Sequence, residues 1–97
     1  MLSSNMEVSY DPAKNKRNIR ERGLSFDRSV EFDFETAAYF TDTRRDYGEV
    51  RRIAVGYLDR RLHVLCFTTT AGGIRVISFR KANEREVKRY GKAKTID

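Results

Sequence analysis

The sequence predicts an α+β domain: a small antiparallel sheet with two N-terminal helices and one C-terminal helix packed on it. Three observations carry this. Residues 62–70 are rich in β-branched and aromatic side chains and are apolar on both faces, with His63, Leu65 and Phe67 against Leu62, Val64 and Cys66. That pattern marks a central strand covered on both sides. The connections around it, at 58–61 and 71–73, have hairpin length, so the sheet is expected to be antiparallel throughout. Helix start and stop residues bracket polar runs on either side of the strand region.

The elements follow in order. Residues 6–10 alternate and read as a short strand. Asp11 is a good N-cap, and Pro12 suits the first helical position, where its missing N–H costs nothing. The helix over 13–22 stops at Gly23. Its apolar residues are only Ala13 and Ile19, beside five basic ones, so it is expected on the surface with few contacts. Ser25 can cap a second short helix whose buried stripe would be Phe26, Val30 and Phe34, at i, i+4 and i+8. Asp27 in its first turn favours the helix dipole. Residues 36–41 form a weak strand and 42–48 a polar loop. Over 50–57, Ile53, Val55 and Tyr57 share one face. The last strand spans 74–79. Lys81, Ala82 and Asn83 open a helix over 84–90, stopped by Gly91, with Asn83, Val87 and Tyr90 facing inward. Residues 92–97 are expected to fray.

With 97 residues, the chain reads as a single domain over 1–97, because a second would need roughly 100 more. So small a core excludes a dinucleotide fold or a large cofactor. No apolar run approaches the ~20 residues that cross a bilayer, so no membrane association is expected. Met1 to Asn5 offer no basic region followed by an apolar stretch, so no secretory signal is expected. One Cys and one His exclude an internal disulfide and a zinc constellation, and neither metal nor cofactor is expected. A reducing cytoplasm fits this usage. The net charge of +6 points to polyanionic partners.

Several motifs then stand in register. They are Asp11-Pro12-Ala13-Lys14, Asn18 and Gly23-Leu24-Ser25-Phe26, followed by Asp42, Arg44, Tyr47-Gly48-Glu49, Arg51 and Gly56. The last is the run from Ile74 through Arg75, Ser78, Arg80 and Lys81 to Ala82, with Glu86 and Tyr90. Together, from about Tyr10 to Tyr90, they resemble the BrnT family. The resemblance implies a bacterial type II toxin with a fold similar to the RelE ribonucleases, which cleaves RNA and blocks translation. It implies neutralisation by a BrnA-like ribbon-helix-helix antitoxin, with two toxins on an antitoxin dimer and promoter DNA reached only through the antitoxin. Members often carry His at the places of Arg22 and Arg45. An Arg there stays protonated and is a poor general base.

RNA cleavage without metal is transesterification: the 2′-OH attacks phosphorus and the 5′-oxygen leaves. It needs a base, an acid and cations for the phosphorane charge. The planar fork of Arg suits the last role. Arg75 and Arg80 are the catalytic candidates on the last strand. Five apart, they point to opposite faces of an ideal strand, and share one site only if the strand twists or ends near 79. Arg80 could instead pair with Glu84 or Glu86, and Arg75 could be a solvated edge charge. Glu49 is a candidate base whose pKa would need raising; the competing reading is an ion pair with Arg51. Tyr90 is a candidate proton donor or stacking ring, against simple packing of the helix. Arg44, Tyr47 and Arg51 around the loop are RNA-binding candidates. So are Lys16, Arg17 and Arg20 on the basic helix, which either track RNA phosphates or meet an acidic antitoxin segment. His63 and Cys66 read as structural.

Two functions fit this reading. One is an RNA-cleaving toxin. The other is a non-catalytic module of a toxin–antitoxin pair that binds nucleic acid or a partner, favoured by the Arg residues at positions 22 and 45 and by the lack of an evident base.

Overall fold

The computed structural model describes residues 6–91; the tail expected to fray at 92–97 lies outside them. Strand β1 is Glu7–Tyr10, β2 Ala38–Thr41, β3 Arg52–Leu58, β4 Arg61–Thr69 and β5 Gly73–Lys81. They form one sheet in the order β1-β5-β4-β3-β2. Every residue from 62 to 67 is buried, as the two-sided apolar pattern of the central strand requires. Between β3 and β4, Asp59 and Arg60 both have positive φ, at 51° and 66°, so the chain turns in two residues without a glycine.

One expectation is overturned. The pairs β2–β3, β3–β4 and β4–β5 are antiparallel, but β1 runs parallel to β5, from Glu7 opposite Gly73 to Tyr10 opposite Val76. Hairpin-length connections constrain only strands that follow one another in the chain. The whole middle of the protein separates β1 from β5, ample length for a parallel return. Gly73 makes this pairing possible, since a Cβ there would run into the backbone of Glu7.

Helix α1 (Pro12–Arg22) begins at Asp11, whose carboxylate accepts from the Ala13 N–H at 2.9 Å, and ends at Gly23 with φ 66°. No residue of α1 is buried. The apolar positions do not anchor it: Ala13 is exposed and Ile19 is 45% exposed. Two asparagines do. The Asn18 amide donates to the carbonyls of Leu24 and Phe79, both at 2.9 Å, and Asn15 Oδ1 accepts from the Phe26 N–H at 2.7 Å. The Phe79 carbonyl lies on the edge of β5 past the four residues that pair with β1, so α1 takes the place beside β5 that β1 leaves.

The second expected α-helix is a 3₁₀ helix, Phe26–Glu31, capped by Ser25. Its turn of three residues changes which side chains face inward. Phe26, Ser29 and Phe32 are buried, whereas Val30, expected in the stripe, is 37% exposed. Phe34 packs at the margin against Phe32 and Phe67. On this side of the sheet lies the main core, including Leu24, Phe26, Phe32, Leu65, Phe67, Val76 and Phe79. Helix α2 (Glu84–Tyr90) covers part of the other face, where Val87 and Tyr90 pack on Val55, Leu62, Val64 and Ala82. Asn83 does not face inward as expected. It is the N-cap of α2, and its side chain and that of Glu86 bond each other's backbone N–H at 2.8 Å.

The polar docking of α1 gives a direct test. Asn18→Ala leaves the Leu24 and Phe79 carbonyls without their donor and is expected to cost about 2 kcal/mol in urea unfolding. Ile19→Ala, at an exposed site of the same helix, is expected to stay within about 0.5 kcal/mol of wild type. Equal effects would show that α1 is held by something other than Asn18.

Candidate functional site

Arg75 and Arg80 differ by an odd number of positions, yet they project from the same face of the sheet. The pairing of β5 with β4 slips by one residue: Phe67 lies opposite Val76 and Cys66 opposite Ser78, so Ile77 is an inserted residue. This bulge resets the alternation. Ile74, Val76 and Phe79 all enter the main core. Arg75, Ser78 and Arg80 are left on the face that α2 partly covers.

On that face, β5, β4, β3, α2 and the loop after β2 enclose a groove of about 350 Å³. Arg44, Arg80, Arg85 and Arg89 line it, against the single carboxylate of Glu86. Ser78 is exposed in it. Phe40 and Tyr90 form its aromatic wall, with ring centroids 5.5 Å apart and nearly edge to face. Cys66 also lines it, and burial pushes its thiol pKa up, so it is an inert surface and not a nucleophile.

The loop is ordered from inside. The Asp42 side chain is only 1% exposed, and its carboxylate takes two bonds from Arg44, at 2.8 and 2.7 Å, and one from the Tyr47 hydroxyl at 3.2 Å. Those bonds, led by the Arg44 guanidinium, hold the carboxyl well below the usual range. The Arg51 guanidinium lies 4.0 Å from the centre of the Tyr47 ring and that of Arg45 5.5 Å. Glu49 accepts from Arg51 Nε at 3.0 Å and from Arg75 Nη2 at 2.7 and 2.8 Å. Both partners lower its pKa, Arg51 most. Across the groove, Arg80 and Glu86 form a two-point pair with both bonds at 2.9 Å, which lowers the Glu86 pKa and raises that of Arg80.

The structure therefore brings Arg44, Arg80 and Tyr90 to one groove. It joins Tyr47, Glu49, Arg51 and Arg75 into a connected cluster on the same face. The ion pair weighed against a catalytic Glu49 is present, as is the Arg80–Glu86 pair. Lys16, Arg17 and Arg20 are exposed on α1, and none of them lines the groove. Sequence reasoning missed Arg85, Arg89, Ser78 and Phe40. The i, i+4 spacing of Arg85 and Arg89 on a helix was available as a signal; nothing in the sequence marked Phe40. His63 is 4% exposed, and its Nδ1 bonds the Arg61 carbonyl at 2.7 Å.

Residues 10–86 match the family described as ribonuclease toxin, BrnT, of type II toxin–antitoxin system. The chain belongs to the BrnT family. The matched span contains the loop cluster, β5 with its bulge and the Arg80–Glu86 pair, and stops just short of Arg89 and Tyr90. Comparison with individually curated proteins gives no match. Membership implies an RNA substrate and an antitoxin protein partner. Among the described residues of this BrnT-family chain, no helix is long and apolar enough to cross a membrane.

The lowered carboxylates fix the sign of the acid response. A carboxyl whose folded pKa lies below its unfolded value, about 4 for Asp, contributes stability above that value and loses it as pH falls toward the folded one. Asp42, Glu49 and Glu86 all act in this direction. Urea unfolding is expected to show stability flat from pH 7 to 5 and falling below about pH 4. Asp42→Asn should be less stable than wild type at pH 7 and should converge on it at low pH. Parallel curves for the two proteins would mean that the Asp42–Arg44 pair contributes nothing.

Proposed function

We propose that the arginine groove binds an RNA strand and cleaves it by metal-independent transesterification, the site being RelE-like in placing its cations on the sheet face beside the C-terminal helix. The 2′-hydroxyl gives up its proton to solvent as its oxygen attacks the adjacent phosphorus, and the bond to the 5′-oxygen breaks with protonation of that oxygen, leaving a 2′,3′-cyclic phosphate and a 5′-hydroxyl. The observation that carries this reading is the bulge at Ile77, which puts Arg75 and Arg80 on one face with Arg44, Arg85 and Arg89 nearby. A phosphorane carries more charge than the diester it forms from, so guanidiniums held in place stabilise it more than the substrate. A groove with four arginines and one carboxylate repels a divalent cation and attracts phosphate.

In this reading Arg80 and Arg75 hold the phosphoryl oxygens, and Tyr90 donates a proton to the leaving oxygen or stacks on a base. Glu49 works differently from the sequence expectation. A base role needs a raised pKa, and two guanidiniums lower it. We assign it the positioning of Arg51 and Arg75. Arg44, Tyr47 and Arg51 bind the strand beyond the scissile bond, and Lys16, Arg17 and Arg20 offer a separate basic surface on α1. Cleavage in the cytoplasm would halt translation. The antitoxin is proposed as a ribbon-helix-helix dimer carrying two toxins.

A second reading, binding without cleavage, is favoured by one observation: Arg44, Arg51, Arg75 and Arg80 all have carboxylate partners within the protein. Incubating purified protein with RNA in EDTA separates the two. Cleavage is expected to persist, and Arg80→Ala is expected to slow it about 10²–10³-fold with an unchanged melting curve. Arg80→Lys should recover only part, because a point charge cannot form the two-point contact. Binding without cleavage would establish the second reading. Activity lost in EDTA and restored by a divalent ion would overturn the metal-free mechanism.

A further inference from the structure

A second cavity, of about 710 Å³, opens away from the arginine groove, where the C-terminal end of α1 meets the main-core face of the sheet. It presents Arg22, Arg28, Arg61 and Lys81 against one carboxylate, Asp59. That carboxylate is already taken by Arg28 at 2.6 Å. Among the described residues the side chains of Arg22 and Lys81 make no hydrogen bond or ion pair, and the Arg61 guanidinium makes a single bond, to the Ala82 carbonyl at 3.0 Å. Three guanidinium or ammonium groups therefore retain free donors around one space. The floor beside them is apolar, formed by Leu24 and Leu58.

His63 is the second, independent feature. Its ring lines this cavity although the residue is 4% exposed. The Arg61 carbonyl can only accept, so Nδ1 carries the proton that bonds it at 2.7 Å. Burial lowers the ring's pKa, and Arg61 and Lys81 act in the same direction, against the Arg61 carbonyl bond and the charge of Asp59. The ring is thus neutral near pH 7, and Nε2 is a lone-pair acceptor with no protein partner. Nε2 is not sealed from solvent, since among the described residues Ser29 Oγ is the one fully buried side-chain polar atom without a partner; a bound molecule can therefore supply the donor that water supplies in its absence. The cavity thus asks for a ligand that is anionic at one point, a hydrogen-bond donor at another, and flat or apolar between.

We propose that this cavity is a ribonucleotide subsite, in which Arg22, Arg61 and Lys81 hold a phosphate while His63 Nε2 accepts a hydrogen bond from the ribose 2′-OH. The assignment rests on RNA as the substrate class, and adds a place where one nucleotide of the strand is held apart from the cleavage groove. The 2′-hydroxyl is the group that distinguishes RNA from DNA. The volume accommodates a nucleotide, and the Leu24 and Leu58 side chains offer the base an apolar surface.

The only histidine in the sequence gives a single imidazole signal, so NMR reads the site directly. Titrating the purified protein with 5′-AMP is expected to shift the His63 ring signal in a saturable way. The 2′-deoxy form is expected to bind about tenfold more weakly, for loss of the hydrogen bond to Nε2. Arg22→Ala combined with Lys81→Ala removes two exposed side chains and should leave the melting curve unchanged while weakening 5′-AMP at least about tenfold. Equal affinity for the two sugars, an unaffected double variant, or a His63 signal moved by an acidic peptide but not by 5′-AMP would each overturn the proposal. The mononucleotide has no bond for the groove to cleave, so the readout is independent of catalysis. Saturable binding in a protein that leaves RNA intact would uphold the subsite and remove the ribonuclease reading, whereas cleavage without nucleotide binding would do the reverse.

Discussion

Ile77 is one residue too many in β5, and the functional face depends on that surplus. A regular strand would have to choose between the core and the arginines. With Ile74 and Val76 buried, strict alternation would bury Arg80 and expose Phe79. The bulge lets the strand bury Ile74, Val76 and Phe79 on one side and still send Arg75, Ser78 and Arg80 to the other. The apolar requirement of the main core is therefore met without giving up the cluster of cations. Bulges also increase local twist, which suits a strand that must leave β1 behind and meet α1 at its far end.

The arginines on this face are held before any ligand arrives. Asp42, Glu49 and Glu86 fix the forks of Arg44, Arg51, Arg75 and Arg80 at distances between 2.7 and 3.0 Å. A free Arg side chain would have to be immobilised on binding, at a cost in rotamer entropy. Pairing meets that cost during folding. The buried Asp42 carboxylate does contribute to stability, whereas the pairs of Glu49 and Glu86 are partly exposed on both sides and add little net stability. A phosphate oxygen can therefore compete for donors that already point in a fixed direction. Glu49 is most informative here. Its two guanidinium partners make it a weak base, and the same two bonds bring β5 and the loop into one cluster.

Much of the fold was legible because it follows from local rules. Asp11-Pro12 and Gly23 fixed the ends of α1, and the two-sided apolar run identified β4. The failures share one cause. The parallel pairing of β1 with β5 joins segments more than sixty residues apart, and no local pattern encodes it. The 3₁₀ turn moved Val30 outward and drew in Ser29, because a period of three replaced 3.6. Asn15 and Asn18 looked like surface residues of a basic helix, yet they dock it. Their partners are backbone carbonyls and an N–H, which have no sequence signature. At the site, residue types were readable and their convergence was not. Arg75 and Arg80 were both visible, but the inserted residue that unites them appears only in the pairing with β4.

Glu86 links two of these themes. It is the third residue of α2, and its carboxylate accepts the Asn83 N–H at 2.8 Å while its own N–H bonds the Asn83 side chain. The same carboxylate oxygen takes one of the two bonds from Arg80. One side chain thus caps the helix that carries Arg85, Arg89 and Tyr90, and orients the arginine on the strand beneath it. A phosphate that draws Arg80 away leaves Glu86 with its cap intact, because the Asn83 bond does not involve the guanidinium. The wall of the groove is therefore independent of the state of Arg80. The base-stacking surface of α2 stays in place whether the Arg80 fork is bonded to Glu86 or to a phosphate.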